Sequence, residues 1–231
     1  MAVTMTPIHM ITTMTDALTL LRLQTWFSPA FPIGAFSYSH GLEAAIDWGA
    51  DSTREEMFEW LYSLLSHGPG WNDAIFLAQA WQSDSDQEGL EDLTELATAL
   101  VFSKERLKET TEQGQAFAKA AAVWRNDIGF AKFCPLPIVV GATAGALKIE
   151  LKSVLTAFLH AYLSNQVQAA LRLMKLGQQE GVSLLADLEK PILQTAEKAL
   201  SADLTDLASN TFMADIVAMQ HETLASRIFI S

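Results

Sequence analysis

Few residues of this chain have side chains and spacings suited to catalysis, and two of them lie close together near the N-terminus. His40 and Glu43 are three positions apart, so on a helix they would share one face and could act as a general acid and base. The other histidines and the single cysteine are far apart and show no paired spacing typical of a metal site: His9, His67, His160, His221 and Cys134. An acid–base site at residues 40–43 and a metal site assembled only by folding are both open.

Larger catalytic signatures do not occur in the sequence. It has no Walker A loop, no glycine-rich dinucleotide fingerprint and no G-x-S-x-G elbow. His221 and Glu222 match the start of the H-E-x-x-H zinc motif, but position 225 is alanine. We expect Cys134 to be a small buried hydrophobe and His160 to lie on an exposed polar face. The sequence does not demand an enzyme.

The segment 28–43, which contains His40 and Glu43, is too apolar for an ordinary connector. It holds two prolines, two glycines and three aromatic side chains. The prolines exclude regular helix, and Gly34 and Gly41 permit a left-handed backbone. Such a segment either packs into the core or presents an apolar surface to another molecule.

Helical periodicity dominates the rest of the chain and predicts the elements that position this segment. The clearest helix spans 52–67, where Ser52 and Glu55 fit a capping box. Gly68 is placed to end that helix, and Asn72 to cap the next one.

Longer helices are predicted in the second half of the chain. The segment 150–176 carries a continuous apolar stripe that includes Asn165, whose buried amide would act as structural glue. Residues 182–200 are also helical in pattern, and Pro191 is expected to break them in two. A last helix is predicted over 203–222.

Three glycines indicate places where helices approach closely. Gly114 lies inside the helix predicted over 103–126, where glycine costs about 1 kcal/mol relative to alanine. Gly141 and Gly145 are four positions apart and flanked by alanines, a pattern typical of tight packing inside a bundle. We expect all three to be structural.

The whole pattern predicts an all-α fold, a single compact bundle of roughly ten helices. We expect a flexible arm over 1–15, a helical domain over 16–222 and a C-terminal tail over 223–231. The tail is apolar near its end, so it either docks onto its own domain or binds another chain.

Composition and charge narrow the classes of partner. The chain has 231 residues, 27 acidic and 15 basic, and a net charge of −12, which repels nucleic acid and anionic membranes. One cysteine allows no intrachain disulfide and suits a reducing compartment. The first fifteen residues contain no Lys or Arg, unlike a secretory signal, and the longest apolar run is about 15 residues, short of the roughly 20 that span a bilayer. We expect a cytoplasmic protein.

Four sequence blocks, in order, resemble the urease accessory protein F family. They cover the chain from about residue 20 onward: 28–43; 103–106 with 113–114; Asn165 with 169–173 and 176–178; and 219–223 with 226–229 and Ser231. Two departures are visible. The second block is less basic than in many members, and Ile230 stands where an arginine is expected, so we expect the partner contacts of the tail to be weaker or differently patterned.

The resemblance implies an all-α homodimeric chaperone component that is not a catalyst. It would bridge a second accessory protein, UreD (also called UreH), and the P-loop GTPase UreG on apo-urease, and help to deliver nickel at the expense of GTP. The chain itself would bind no cofactor stably, since GTP would be bound by UreG and nickel handled by the complex. Nucleic acid and membranes would not be partners.

The resemblance also implies that the loop 36–43 and the tail are interaction surfaces. An opposing hypothesis places Phe36 in the core and uses Tyr38 to satisfy a buried backbone group. Two other functions stay open: a helical enzyme with its site at His40 and Glu43, and a direct nickel carrier that uses histidine or Cys134. The residues expected to contact partners are Phe36, Ser37, Tyr38, Ser39, His40, Gly41, Leu42, Glu43, Arg227 and Phe229.

Overall fold

The computed structural model describes residues 7–49, 53–83, 86–126 and 128–231. Within this part the chain is all-α, as predicted, with ten α-helices, two short 3-10 helices and no strand. The 3-10 helices span Ala35–Ser37 and Leu204–Asp206. The α-helices are α1 (Pro7–Trp26), α2 (Leu42–Asp47), α3 (Arg54–His67), α4 (Pro69–Gln82), α5 (Gln87–Ala99), α6 (Lys104–Ala121), α7 (Leu136–Ala146), α8 (Leu151–Leu173), α9 (Gln178–Ala199) and α10 (Phe212–His221).

Helix α7 lies in the middle of the bundle because it is apolar on every side. Its residues 137–144 are all buried. It packs against α4 and α6, while α8 packs against α9, α4 and α3. Leu155, Leu159 and Leu163 of α8 are fully buried in the same hydrophobic core. None of the described helices is long and apolar enough to cross a membrane.

Close helix approach occurs at the three glycines singled out above. A β-carbon at Gly141 would lie 2.2 Å from the carbonyl oxygen of Leu77 in α4, and one at Gly145 would lie 2.4 Å from that of Trp81. At Gly114 of α6 the obstacle is the carbonyl oxygen of Cys134, at 2.1 Å. Each position therefore leaves no room for a side chain.

The start of α3 differs by one residue from the sequence prediction. The N-cap is Thr53, whose hydroxyl accepts from the Glu56 backbone N–H at 3.2 Å, and the Glu56 carboxylate accepts from the Thr53 N–H at 3.0 Å. The predicted partner Ser52 lies outside the described residues. The capping box exists, with its register shifted.

Helix α4 also begins earlier than predicted. Gly68 ends α3 as expected, but α4 starts directly at Pro69, because the fixed φ and missing N–H of proline suit the first helical position. Asn72 is therefore inside α4 and does not cap it. Its side-chain oxygen accepts instead from the backbone N–H of Ala208, at 3.1 Å.

The prediction that Pro191 breaks its helix is wrong. Helix α9 continues through Pro191 without interruption. An internal proline costs about 3 kcal/mol, but Leu184, Leu188 and Ile192 on either side of it are buried against the core. Burying each such side chain contributes roughly 1.5–3 kcal/mol, so together they outweigh the lost hydrogen bond.

Three other boundaries differ from the sequence prediction. Helix α1 begins at Pro7, within the segment expected to be a flexible arm, and residues 1–6 lie outside the described part. Helix α6 ends at Ala121, before the predicted end at 126. The segment 203–222 forms a 3-10 turn and then α10, because the side chain of Asp203 caps the turn by accepting from Thr205 N–H at 2.7 Å.

Candidate functional site

The backbone of the segment 34–41 is turned by three residues in the left-handed region. Gly34 has φ of 73°, His40 of 53° and Gly41 of 79°. A β-carbon at Gly41 would lie 2.7 Å from the backbone nitrogen of Ala218 in α10, so only glycine fits there. These turns direct the chain from the 3-10 helix Ala35–Ser37 into α2, and they bring it alongside α10.

The C-terminal tail docks onto this segment through backbone hydrogen bonds. The Ile230 N–H donates to the carbonyl oxygen of Ser37 at 2.8 Å. The Ser39 N–H and hydroxyl both donate to the carbonyl oxygen of Ser231, at 2.5 and 2.6 Å. Of the two sequence alternatives for the tail, the structure therefore has it docked on its own domain.

Glu43 holds the tail from the first turn of α2. It is 9% exposed, and its carboxylate accepts from the backbone N–H groups of Ile228 at 2.7 Å and Phe229 at 2.9 Å. Burial alone would raise the pKa of Glu43, but the two N–H groups and His221 outweigh it, so the pKa lies below its ordinary value.

His221, at the end of α10, connects Glu43 to Glu105 of α6. Its ring nitrogens lie 3.3 Å from the Glu43 carboxylate and 2.6 Å from the Glu105 carboxylate, and the side chain is fully buried. Glu105 also pairs with Arg227 of the tail. Sequence reasoning considered His221 as a zinc-motif residue and as part of the block 219–223, and it missed this role because no local pattern relates His221 to positions 43 and 105.

Helix α8 supports both the loop and the tail. The Asn165 side-chain N–H₂ donates to the carbonyl oxygens of Ala35 at 2.8 Å and Tyr38 at 3.4 Å. The guanidinium of Arg172 lies 4.2 Å from the centre of the buried Phe229 ring and donates to the carbonyl oxygen of Phe36 at 3.3 Å. Two side chains on one helix therefore fix the relative position of loop and tail.

A second buried network lies beneath the docked tail. His40 Nε2 is 2.9 Å from the carboxylate of Glu109, which is 1% exposed and also lies 3.4 Å from Arg106. Arg106 pairs in turn with Asp73 at 2.7 Å, and the Ser231 hydroxyl donates to Glu109 at 3.3 Å. Burial opposes ionisation of Glu109, but His40 and Arg106 outweigh it and hold its pKa below the ordinary value.

Comparison with known proteins identifies the family of this chain. The UreF family model matches residues 52–189. The chain belongs to the UreF family. It is 45% identical to the urease accessory protein UreF of Mesorhizobium japonicum over 224 residues, which cover 94% of this chain and all of that relative. It is 45% identical to UreF 1 of Brucella anthropi, over 94% and 97% of the two chains, and 44% identical to UreF of Agrobacterium fabrum, over 92% and 96%.

In this UreF-family chain, the ten residues expected to contact partners fall into three groups by their exposure to solvent. Phe36 is 68% exposed and the side chain of Arg227 is 39% exposed. Ser37 and His40 are intermediate, although the His40 side chain is only 7% exposed. The others are buried and hold the loop and tail together: Tyr38, Ser39, Gly41, Leu42, Glu43 and Phe229.

The exposure of Phe36 contradicts the hypothesis that places it in the core. Tyr38 is buried, but its hydroxyl donates to the Glu112 carboxylate at 3.0 Å and not to a backbone group. Burial and the Glu112 contact raise the pKa of Tyr38 above its ordinary value. The tail, which docks on this loop through the hydrogen bond from Ile230 N–H to Ser37, adds two further exposed apolar side chains, Ile228 at 60% and Ile230 at 44%. We call Phe36, Ile228 and Ile230 the composite patch, because it combines the loop with the docked tail.

The geometry separates the two residues of the hypothetical acid–base site. His40 faces Glu109, whereas Glu43, in the first turn of α2, faces the tail and His221. His40 borders two cavities of about 100 and 70 Å³, and its Nδ1 has no hydrogen-bond partner among the described residues. Cavities of that size hold a few water molecules.

The described part of the UreF-family chain shows no cluster of three or more His, Cys, Asp or Glu side chains placed to hold a metal ion. Cys134 is buried, and its sulfur lies 3.3 Å from the Thr94 hydroxyl. Burial raises the pKa of the thiol to about 11, which leaves it a poor thiolate ligand. His160 is exposed on α8, where the sequence pattern places it.

Proposed function

We propose that this chain is a scaffold in urease maturation. It would bridge UreD (UreH) and the GTPase UreG on apo-urease in the cytoplasm and promote GTP-dependent insertion of nickel into the urease active site. Support comes from its membership of the UreF family and from its match to relatives named as urease accessory proteins, which extends over nearly their whole length. In this proposal GTP is bound by UreG, nickel is the cargo of the complex, and the chain is not itself an enzyme.

The composite patch is the observation that carries the proposal. Phe36, Ile228 and Ile230 place three large apolar side chains on the surface around the docked tail. Arg172 and Arg227 are exposed beside them. Apolar anchors with arginine at their edge are typical of binding hot spots between proteins. We therefore assign a protein partner of the urease assembly to this patch.

A second apolar face suits the homodimer that the family resemblance implies. On α1, Leu18, Leu20 and Leu21 are between 51% and 59% exposed, and Leu193 on α9 is 50% exposed. Leu20 and Leu193 line one groove between α1, α8 and α9. A two-fold interface buries the same patch of both copies, so a second copy of this chain is the proposed occupant. Light scattering should show a dimer, and a strict monomer at high concentration would count against this assignment.

Co-purification with UreD and UreG tests the scaffold proposal. Phe36→Ala should weaken capture of at least one partner, because it removes an exposed anchor without altering the core. Phe133→Ala is the matched control, since Phe133 is 62% exposed in the loop before α7, outside the composite patch. A chain ending at Glu222 removes the tail altogether.

The outcomes separate the parts of the proposal. If the full-length chain captures neither partner when both are folded, the scaffold function is wrong. If Phe36→Ala and the truncated chain bind both partners as well as the full-length chain, the scaffold function stands but the composite patch is not its binding site. Equal losses with Phe36→Ala and Phe133→Ala would also refute the patch.

A further inference from the structure

We infer that the larger of the two cavities, which lies beside α10, is a docking site for a basic amphipathic helix of a partner protein, with one aliphatic side chain of that helix inside the cavity. The inference deepens the proposed function and rests on it only for the statement that the partner belongs to the urease assembly. The site itself is a property of this chain.

This cavity, of about 100 Å³, opens between the α5–α6 connection and α10. Leu100 and Phe102 border it on one side and are 40% and 61% exposed. On the other side it is bordered by Ala214, Asp215 and Ala218 of α10. An apolar cavity of about 150 Å³ admits benzene, so this smaller one suits a branched aliphatic side chain such as that of leucine.

The interior of the cavity can accept an apolar side chain. Buried apolar residues on its wall include Leu64, Phe76 and Ala97. Several polar side chains that border it already have hydrogen-bond partners in the chain: Asn72, Asp73, Arg106 and Thr110. His40 Nδ1 has no partner among the described residues, but His40 also borders the second cavity, which has room for water. An apolar occupant therefore displaces water without breaking these hydrogen bonds.

The two sides of the mouth are joined by hydrogen bonds within the chain. Glu222, directly after α10, accepts from the backbone N–H of Lys104 at the start of α6, at 2.8 Å. Just before α10, the Asn210 N–H donates to the carbonyl oxygen of His67 at 2.8 Å. Ser231 of the docked tail also borders the cavity, so this site adjoins the composite patch. A site that is already formed loses little conformational entropy when a partner binds.

An exposed apolar stripe on α10 runs beside the mouth. Phe212, Ile216 and Met219 follow one another at intervals of four and three residues and are 71%, 39% and 43% exposed. Met219 lies one helical turn after Asp215, which borders the cavity. Apolar side chains at this spacing form the face that one helix presents to another, and methionine adapts to different partners. The geometry therefore favours a helix as the occupant.

The charges around the mouth favour a basic partner. Residues 84–103 contain six carboxylates and residues 201–226 contain four, and neither segment contains Lys or Arg. Asp215, at the mouth, accepts from the Ser209 hydroxyl at 3.4 Å and has no Lys or Arg partner among the described residues. Burial raises the pKa of Asp215, and a cation beside it would oppose that effect. Since Lys104 is exposed next to the first segment, the basic residues of the partner are expected on the α10 side.

Fluorescence anisotropy of a labelled peptide tests the site on the full chain, without UreD, UreG or urease. The peptide is an amphipathic helix of about 18 residues, with leucine at every third or fourth position and lysine on both sides of that stripe. Its affinity should fall as the salt concentration rises, because salt screens the attraction between opposite charges. Two control peptides should bind at least tenfold more weakly, one with glutamate in place of lysine and one with alanine in place of leucine.

Three variants locate the binding. Ala214→Leu places an aliphatic side chain of the chain itself in the cavity, so the affinity should fall by about tenfold to a hundredfold, the contribution of one buried leucine. Phe102→Ala removes part of the mouth and should weaken binding by about tenfold. Asp215→Asn removes the charge and should weaken it by about threefold. The matched controls on α9 are Val182→Ala, at a side chain that is 60% exposed, and Glu189→Gln, and both should bind as wild type.

Circular dichroism reports whether each variant is folded. Phe102→Ala and Asp215→Asn change side chains at the mouth of the cavity, so they keep the test decisive if Ala214→Leu does not fold. Two results would overturn the inference. One is the absence of any binding to wild type with a Kd below about 1 mM. The other is equal affinity of wild type and the folded variants, because binding would then depend on net charge alone.

Co-purification with UreD and UreG separates this inference from the proposed function. If the chain captures neither protein but binds the peptide with the expected losses in the variants, the scaffold function is wrong and the helix-docking site stands. If the chain captures its partners but shows no site-specific peptide binding, the helix-docking site is wrong and the scaffold function stands.

Discussion

Replacing Gly141 by alanine should destabilise the fold, although alanine is the better helix former. The added β-carbon would lie 2.2 Å from the carbonyl oxygen of Leu77. Relief of this contact requires α7 and α4 to separate by about 1 Å, which forfeits a quarter to a half of each dispersion contact across the gap. A buried leucine makes about 40 such contacts of about 0.1 kcal/mol each, so a quarter of its total is about 1 kcal/mol.

The expected net loss follows from these terms. Three large side chains at the helix crossing would together lose about 3 kcal/mol. The higher helix propensity of alanine returns about 1 kcal/mol, which leaves a decrease of about 2 kcal/mol in the free energy of unfolding. With a urea dependence of about 3 kcal/mol per molar, the unfolding midpoint should fall by about 0.7 M.

Equilibrium urea unfolding followed by circular dichroism measures this shift. Gly181→Ala in α9 is the matched control, because its β-carbon would meet a methyl group of Leu171 at 2.9 Å, and that side chain can rotate away. It should be neutral or slightly stabilising. If Gly141→Ala unfolds at or above the wild-type midpoint, the close contact of α7 with α4 does not limit packing and the reasoning fails.

Three further predictions concern buried ionisable groups. Glu109→Gln should lower the free energy of unfolding by about 3–5 kcal/mol, because it leaves Arg106 and His40 with one carboxylate fewer, whereas Glu59→Gln on the exposed side of α3 should change the urea midpoint little. With a pKa of about 11, Cys134 has about 100-fold less thiolate at pH 8 than an ordinary thiol. A thiol reagent should therefore label Cys134 only when the chain unfolds, and rapid labelling of the native chain would contradict this. Because the pKa of Glu43 is lowered in the fold, its carboxylate stabilises the docked tail at a pH above the ordinary carboxyl titration, and this stabilisation is lost as the pH falls. Hydrogen exchange of the backbone amides of residues 228–230 in acid should show this loss in wild type and a flatter pH dependence in Glu43→Gln.

The sequence predicts those parts of the fold that depend on local pattern. The end of α3 at Gly68 follows from a glycine and a proline at adjacent positions, and the capping box is found within one residue of its predicted place. Gly114 is a local signal too, since glycine inside a helix indicates a close neighbour, but the neighbour itself, the carbonyl oxygen of Cys134, is a tertiary contact that the pattern does not name. Pro191 is the exception, because tertiary burial on both sides of it outweighs a local cost.

The candidate site could be predicted only in part, because its contacts join distant positions. Glu43, Arg227 and Phe229 are named from sequence as members of a partner surface, but periodicity cannot show that Glu43 binds the backbone of Phe229, 186 positions away. Nor does any pattern relate His221 to Glu43, 178 positions earlier. The family resemblance identifies the loop 36–43 and the tail 223–231 as the two segments of the site. Their mutual contact, and the exposure of Phe36 above it, come from the fold.

The contact of the tail with the segment 37–39 also determines when the composite patch can exist during synthesis. Ser39 and Ser231 are separated by 192 positions, so the ribosome, adding roughly 5–20 residues per second, needs about 10–40 s to produce the second after the first. Throughout that interval Glu43 and Glu105 lack the backbone donors and the arginine that later cover them. A nascent chain that still lacks the tail therefore presents an acidic cleft where the folded chain presents Phe36, Ile228 and Ile230, and a partner that binds this patch would distinguish molecules with a docked tail from molecules without one.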